Sequence, residues 1–209
     1  MKGNPTSILL IAISSYILVL GCRHTNRVVK KYYSNGGLFS ETPYTDNKRD
    51  GVEKDYFGSG QLMRETPYTN DKKDGVEKGY YLHGKISALV PYTNEKRNGF
   101  MKMFYENGNI EWEIPYDNDN ITGTEKGYYE NGALKNETPY TNSKENGVEK
   151  EYYQSGKLLH ETPYTNGEIM NGTEKVYYEN GKLRVEIIYR NGYEGKPMQY
   201  DENGNEIKQ

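Results

Sequence analysis

Few residues in this chain could do covalent, acid–base or metal chemistry, and they are scattered. The single cysteine, Cys22, excludes an internal disulfide and a cysteine-based metal centre. The three histidines, His24, His83 and His160, fall in a tether, a turn and a strand with no shared partner, and read as surface side chains. Asp117-Asn118-Asp119-Asn120 sets oxygen donors at alternate positions, as a calcium loop does. It lacks the glycine at the sixth place and the bidentate glutamate, so it reads as a turn. Asn120, Asn136 and Asn171 match the glycosylation pattern, which matters only in a eukaryotic secretory pathway. There is no phosphate-binding glycine loop, dinucleotide fingerprint, His-Glu-x-x-His or nucleophile elbow. The reading is therefore not an enzyme, with no catalytic residue, no cofactor and no metal. With 27 basic and 30 acidic side chains intermixed, the net charge is −3 and gives no electrostatic reason to expect nucleic acid as a partner.

Cys22 gains meaning from what precedes it. Residues 8–20 form an apolar run that spans about 20 Å as a helix, short of the ~30 Å bilayer core. A short basic start, an apolar centre and a small residue before Cys22 describe a secretory signal peptide. Val19-Leu20-Gly21-Cys22 resembles the lipobox of bacterial lipoproteins, although Leu20 departs from the small or β-branched residue usual there. The resemblance implies cleavage after Gly21 and lipid attachment at Cys22; the alternative is a free thiol at an ordinary signal-peptide boundary. Two or three acyl chains, at about 0.8 kcal/mol per buried methylene, would hold the protein on a membrane. The expected organisation is a signal peptide over 1–21, a tether over 22–27 and a repeat domain over 28–209. The expected location is the bacterial cell envelope, lipid-anchored, periplasmic or surface-exposed.

The remainder is one unit repeated. Pro-Tyr recurs every 24 residues at Pro43, Pro67, Pro91, Pro115, Pro139 and Pro163. Aromatic pairs beginning at Tyr32, Tyr56, Tyr80, Phe104, Tyr128, Tyr152 and Tyr177 are each followed three residues on by a glycine. Seven copies are recognisable, and a degenerate eighth runs from Gly195 to the end as a terminal cap. Proline and glycine in every period exclude helix. Asn-Gly between runs rich in Tyr, Val, Thr and Leu predicts a hairpin closed by a type I′ turn. Taking Asn107-Gly108 as the turn centre puts Tyr105 opposite Ile110, Lys102 opposite Glu113 and Met101 opposite Ile114. The same register sets Lys30, Lys54, Lys126, Lys150 and Lys175 opposite Glu41, Glu65, Glu137, Glu161 and Glu186, with Lys78–Leu89 the exception and Asp55–Arg64 an extra pair. Such pairs contribute about 0.2–1 kcal/mol each, so the charges read as sheet glue. Between hairpins, Thr-Asn, lysines and Asp-Gly or Asn-Gly predict a longer loop. The fold class is all-β: tandem hairpins in one elongated, twisted antiparallel meander of some fourteen to sixteen strands, at about 4.8 Å per strand. No helix is expected beyond the signal peptide.

Tyr-Tyr-x-Asn-Gly-x-Leu-x-x-Glu at this spacing resembles the bacterial MORN repeat variant found in proteins labelled YwqK-like antitoxins. The resemblance implies a repeat-hairpin fold and a binding or structural role. Two functions follow. The first is a membrane-tethered scaffold binding a protein or a cell-envelope polysaccharide; the second is an immunity or antitoxin protein that sequesters a toxin. Tyrosines recurring in register would form aromatic rows, either for stacking on a partner or simply holding the sheet.

The third and fourth copies break the consensus in one direction. Ile86, Ala88, Val90 and Tyr92 alternate along one strand, Met101, Met103 and Tyr105 along the next, and Ile110, Trp112, Ile114 and Tyr116 along a third. If Tyr92 pairs with Gly99, these residues share one face of three adjacent strands. An apolar patch carrying the only tryptophan and two adaptable methionines reads as a binding site or as a buried face.

Overall fold

The structure is a computed structural model that describes residues 9–11 and 25–208, with side chains described over 25–208. Cys22, His24 and most of the expected signal peptide and tether lie outside the described residues. Leu9–Ile11 is a strand antiparallel to Asn26–Tyr32, with Leu9 opposite Tyr32 and Ile11 opposite Lys30. Extended pairing thus replaces the helix expected at these three residues. An edge strand's open row of N–H and C=O groups favours such an addition.

The described residues are all strand and turn, without helix, and divide into an N-terminal unit, 1–98, and a C-terminal unit, 99–209. Each is an antiparallel meander. In the N-terminal unit the long strands are Asn26–Tyr32, Leu38–Thr45, Gly51–Tyr56, Leu62–Thr69, Gly75–Tyr80 and Ile86–Thr93. In the C-terminal unit they are Gly99–Phe104, Ile110–Asp117, Gly123–Tyr128, Leu134–Thr141, Gly147–Tyr152, Leu158–Tyr164, Gly172–Tyr177 and Leu183–Arg190. Every expected lysine–glutamate pair is in register, from Lys30–Glu41 to Lys175–Glu186, and Lys78 faces Leu89 as expected.

The turns differ from expectation. At Tyr105–Gly108 only Gly108 has positive φ, at 96°. The Tyr105 N–H donates to the Asn109 carbonyl, and Asn107 Oδ1 accepts from the Asn109 N–H. The turn is therefore a three-residue loop with glycine in the left-handed position, not type I′. The strand is bulged after Met103, and Phe104 rather than Tyr105 stands opposite Ile110. The type I′ geometry is found where a longer loop was expected. Asp46-Asn47, Asn70-Asp71, Asn94-Glu95, Asn118-Asp119 and Asn142-Ser143 all have positive φ at both residues. The short strands that follow, such as Lys48–Arg49, pair straight back on Tyr44 and Thr45. The surplus residues form a bulge at Gly51 and its equivalents, which reaches φ 112° there and fits closely over Pro43.

Neither unit has a conventional apolar core. The most buried side chains include Ser40, Thr42, Asp55, Thr66, Thr138 and Thr162, each 2–4% exposed. Tyr68 is the one buried hydrophobic among the described residues. Because every hairpin repeats the same strand pairing, local pairing supplies the order that a core supplies elsewhere.

Candidate functional site

Cross-strand partners share a face, so the repeat writes rows across each sheet. On one face runs a threonine–glutamate row. Thr42 Oγ1 donates to Glu53 Oε2 at 2.7 Å, Thr66 to Glu77 at 3.0 Å and Thr138 to Glu149 at 3.1 Å. At Thr162 the row is modified, for His160 Nε2 lies 3.3 Å from its hydroxyl and 2.8 Å from Glu174 Oε1. On the other face the lysine–glutamate pairs continue from hairpin to hairpin, since Glu41 also pairs with Lys54 and Glu137 with Lys150. The Lys102 ammonium lies 2.8 Å from Glu113 and holds its carboxyl below the usual carboxylate range, with burial opposing; Lys30 does the same for Glu41.

Most tyrosines are committed to the sheet. The first tyrosine of five aromatic pairs donates to the preceding hairpin's glutamate: Tyr56 to Glu41, Tyr80 to Glu65, Tyr128 to Glu113, Tyr152 to Glu137 and Tyr177 to Glu161, at 2.7–3.1 Å. The second donates to the next hairpin's backbone, as Tyr33 does to the Tyr56 carbonyl, Tyr105 to Tyr128 and Tyr129 to Tyr152, each at 2.7 Å. Burial first, then the neighbouring carboxylate, pushes the Tyr80, Tyr128, Tyr152 and Tyr177 phenols up to about 12. In the N-terminal unit the proline-following rings are covered by cations: Arg49 lies 4.0 Å from the Tyr68 ring centre and Lys73 lies 4.6 Å from that of Tyr92. The tyrosine rows are thus mortar between neighbouring hairpins.

The apolar residues of copies three and four stand apart from this scheme. In the N-terminal unit, Ile86, Val90 and Tyr92 lie on one face of Ile86–Thr93, with Val90 opposite Glu77 where other hairpins have threonine. Tyr92 pairs with Gly75 on one side and Arg97 on the other, and Gly99 pairs with Tyr116. Tyr92 itself thus faces Arg97 and not Gly99, because the tight turn at Asn94-Glu95 folds the chain back two residues earlier; at the equivalent joints the bulge restores the expected register, as Glu41 with Lys54 and Glu113 with Lys126 show.

In the C-terminal unit, Met101 stands opposite Ile114 and Met103 opposite Trp112, on one face and side by side. Here the glutamate–threonine cross-strand pair of other hairpins, such as Glu53–Thr66 and Glu125–Thr138, is replaced by a wholly apolar pair. Trp112 faces Gly127 on its other side, and a Cβ there would meet ring carbon Cζ3 at 3.0 Å, so the indole lies across the glycine. Ile110 and Tyr116 continue the same face of Ile110–Asp117, and the cluster is half-buried. Glu125, beside Ile114 in the row, has its carboxyl raised by burial and by the charges of Glu149 and Glu145. Tyr105 is bound to the next hairpin instead. Among the described residues no group of three or more histidine, cysteine or acidic side chains is placed to hold a metal ion.

A family model described as "MORN repeat variant" matches the chain seven times, at residues 28–46, 49–70, 73–94, 97–118, 121–142, 145–166 and 170–191. The comparison with curated proteins finds no match.

Proposed function

Because this chain belongs to the MORN repeat variant family, whose repeats are non-catalytic modules that commonly bind proteins or membranes, we propose that it is a membrane-tethered scaffold that takes a protein partner on its C-terminal unit. Lipid at Cys22 supplies the tether in this reading, in a bacterial cell envelope. One observation supports the partner site: Met101 and Ile114 replace the glutamate and threonine of most other copies, with Met103 and Trp112 beside them on the same face, while Lys102 and Glu113 keep the consensus on the other. Two adaptable methionines around a tryptophan are a suitable surface for a protein side chain.

The test is photo-crosslinking in the native envelope, with a benzophenone side chain at Met103 or at Lys102. A discrete adduct with another protein from position 103, and none with that same protein from 102, supports the reading. Equal labelling, or none, refutes it. For the captured partner, Trp112→Ala should weaken binding by about 2 kcal/mol or more, with little change in melting temperature. In the same cells wild-type protein should incorporate labelled palmitate and Cys22→Ser should not.

A further inference from the structure

The face opposite the methionine–tryptophan cluster has its own pattern, visible only once the inter-hairpin register is known. Across the C-terminal unit the charges run Lys102, Glu113, Lys126, Glu137, then Lys150, Glu161, Lys175, Glu186, strictly alternating from strand to strand. Two residues along each strand lies an exposed row that includes Phe100, 59% exposed, Val148, 43%, and Ile188, 38%. Each stands across its own hairpin from a proline or a threonine and remains exposed: Phe100 faces Pro115, Val148 faces Pro163 and Ile188 faces Thr173.

An alternating ladder of eight charges is antisymmetric about its midpoint, between Glu137 and Lys150. A two-fold axis parallel to the strands through that midpoint lays the face on its own copy. Lys102 then meets Glu186 of the second copy, Glu113 meets Lys175, Lys126 meets Glu161 and Glu137 meets Lys150, with no like-charge contact. The same axis brings Phe100 onto Ile188 and Pro139 onto Val148. We propose that the C-terminal unit forms a two-fold dimer through this face, the occupant being a second copy of this chain.

Charge complementarity selects that occupant. A generic acidic or basic partner, or an anionic lipid surface, would be repelled by every second residue of the ladder. The intrachain pair on the proposed axis, Lys150–Glu137, is also loose, at 4.0 Å against 2.8 Å for Lys102–Glu113. Eight strands about 4.8 Å apart and some 20 Å long present about 750 Å², close to the ~800 Å² per partner of a standard interface. The apolar row supplies the attraction, and the charges fix register more than affinity. In the N-terminal unit the ladder ends at Leu89 after five charges, so no midpoint balances it and that face is not self-complementary.

Charge exchange tests the register. The full chain, with Cys22→Ser so that no disulfide joins copies, is followed by sedimentation velocity at micromolar concentration. The wild type should be a dimer. Glu113→Lys sets lysine on Lys175, and Lys175→Glu sets glutamate on Glu113; each should weaken self-association roughly tenfold or more. Mixing the two variants should restore the dimer, because the lysine introduced at position 113 of one copy then meets the glutamate introduced at position 175 of the other. Val148→Asp, a change at an exposed side chain, should also dissociate it, with an unchanged circular dichroism spectrum. A monomeric wild type overturns the proposal, including one that instead binds anionic vesicles. So does a dimer that Val148→Asp leaves intact, or a mixture that fails to re-associate while both variants keep the native spectrum.

Discussion

Five phenols of the C-terminal unit, Tyr128, Tyr140, Tyr152, Tyr177 and Tyr189, are pushed up to about 12. Burial is the largest cause for each, followed by the carboxylate that accepts the hydroxyl or, for Tyr140, by the charge of Glu125. Between pH 10 and 12 the unfolded chain loses these protons while the folded chain keeps them. Stability from these groups is therefore complete below pH 10 and is lost as pH rises towards 12. A two-unit shift corresponds to about 2.7 kcal/mol in a fully shielded site. These rings are partly solvated, and screening reduces the contribution to about 1 kcal/mol each. Five together approach 5 kcal/mol, the scale of a whole domain's stability. The expected outcome is cooperative alkaline unfolding above about pH 11, with phenolate absorbance at 295 nm rising as the sheet's far-ultraviolet signal falls. Tyr152→Phe, which removes a 2.7 Å bond to Glu137, should cost about 1 kcal/mol at pH 7 and release one proton fewer in the transition. If all the tyrosines titrate near 10 while the sheet signal persists to pH 12, the account of the tyrosine–glutamate mortar is wrong.

Backbone strain should separate two glycines that look alike in sequence. Gly51→Ala places a Cβ 3.0 Å from Pro43 Cγ at φ +112° and should cost about 2 kcal/mol, whereas Gly36→Ala, at φ +84° in open space, should cost about 1 kcal/mol in thermal melts. Equal losses would show that the bulge is not under steric constraint. Removing residues 123–146 excises one whole period and should leave a shorter folded protein with a single melting transition. Removing only residues 123–134 takes half a hairpin and should disrupt it; equal damage from both deletions would contradict a modular sheet.

The sequence alone determined the hairpin and its internal register. Lys102 opposite Glu113 and Met101 opposite Ile114 were legible because a two-strand pairing closed by a few residues has little freedom, and a slip of one residue would move every side chain to the wrong face. The apolar character of Met101, Met103, Trp112 and Ile114, and their common face, followed from the same alternation. Turn type was not legible: Asn-Gly permits type I′, but here Asn107 keeps its side-chain bond to Asn109 and leaves the left-handed position to Gly108. The joining of successive hairpins was not legible either. It depends on two-residue turns such as Asn94-Glu95 and on bulges such as Gly51, whose composition looks like an ordinary polar loop. Only the tertiary structure therefore decided that Tyr92 faces Arg97 rather than Gly99. It also decided that Tyr152 donates to a glutamate of the preceding hairpin, and that isolated lysine–glutamate pairs join into an unbroken ladder. Within a hairpin, proximity along the chain fixes the contacts. Between hairpins, loop conformation does, and backbone dihedrals at Asn, Asp and Gly are too permissive for residue type alone to select one.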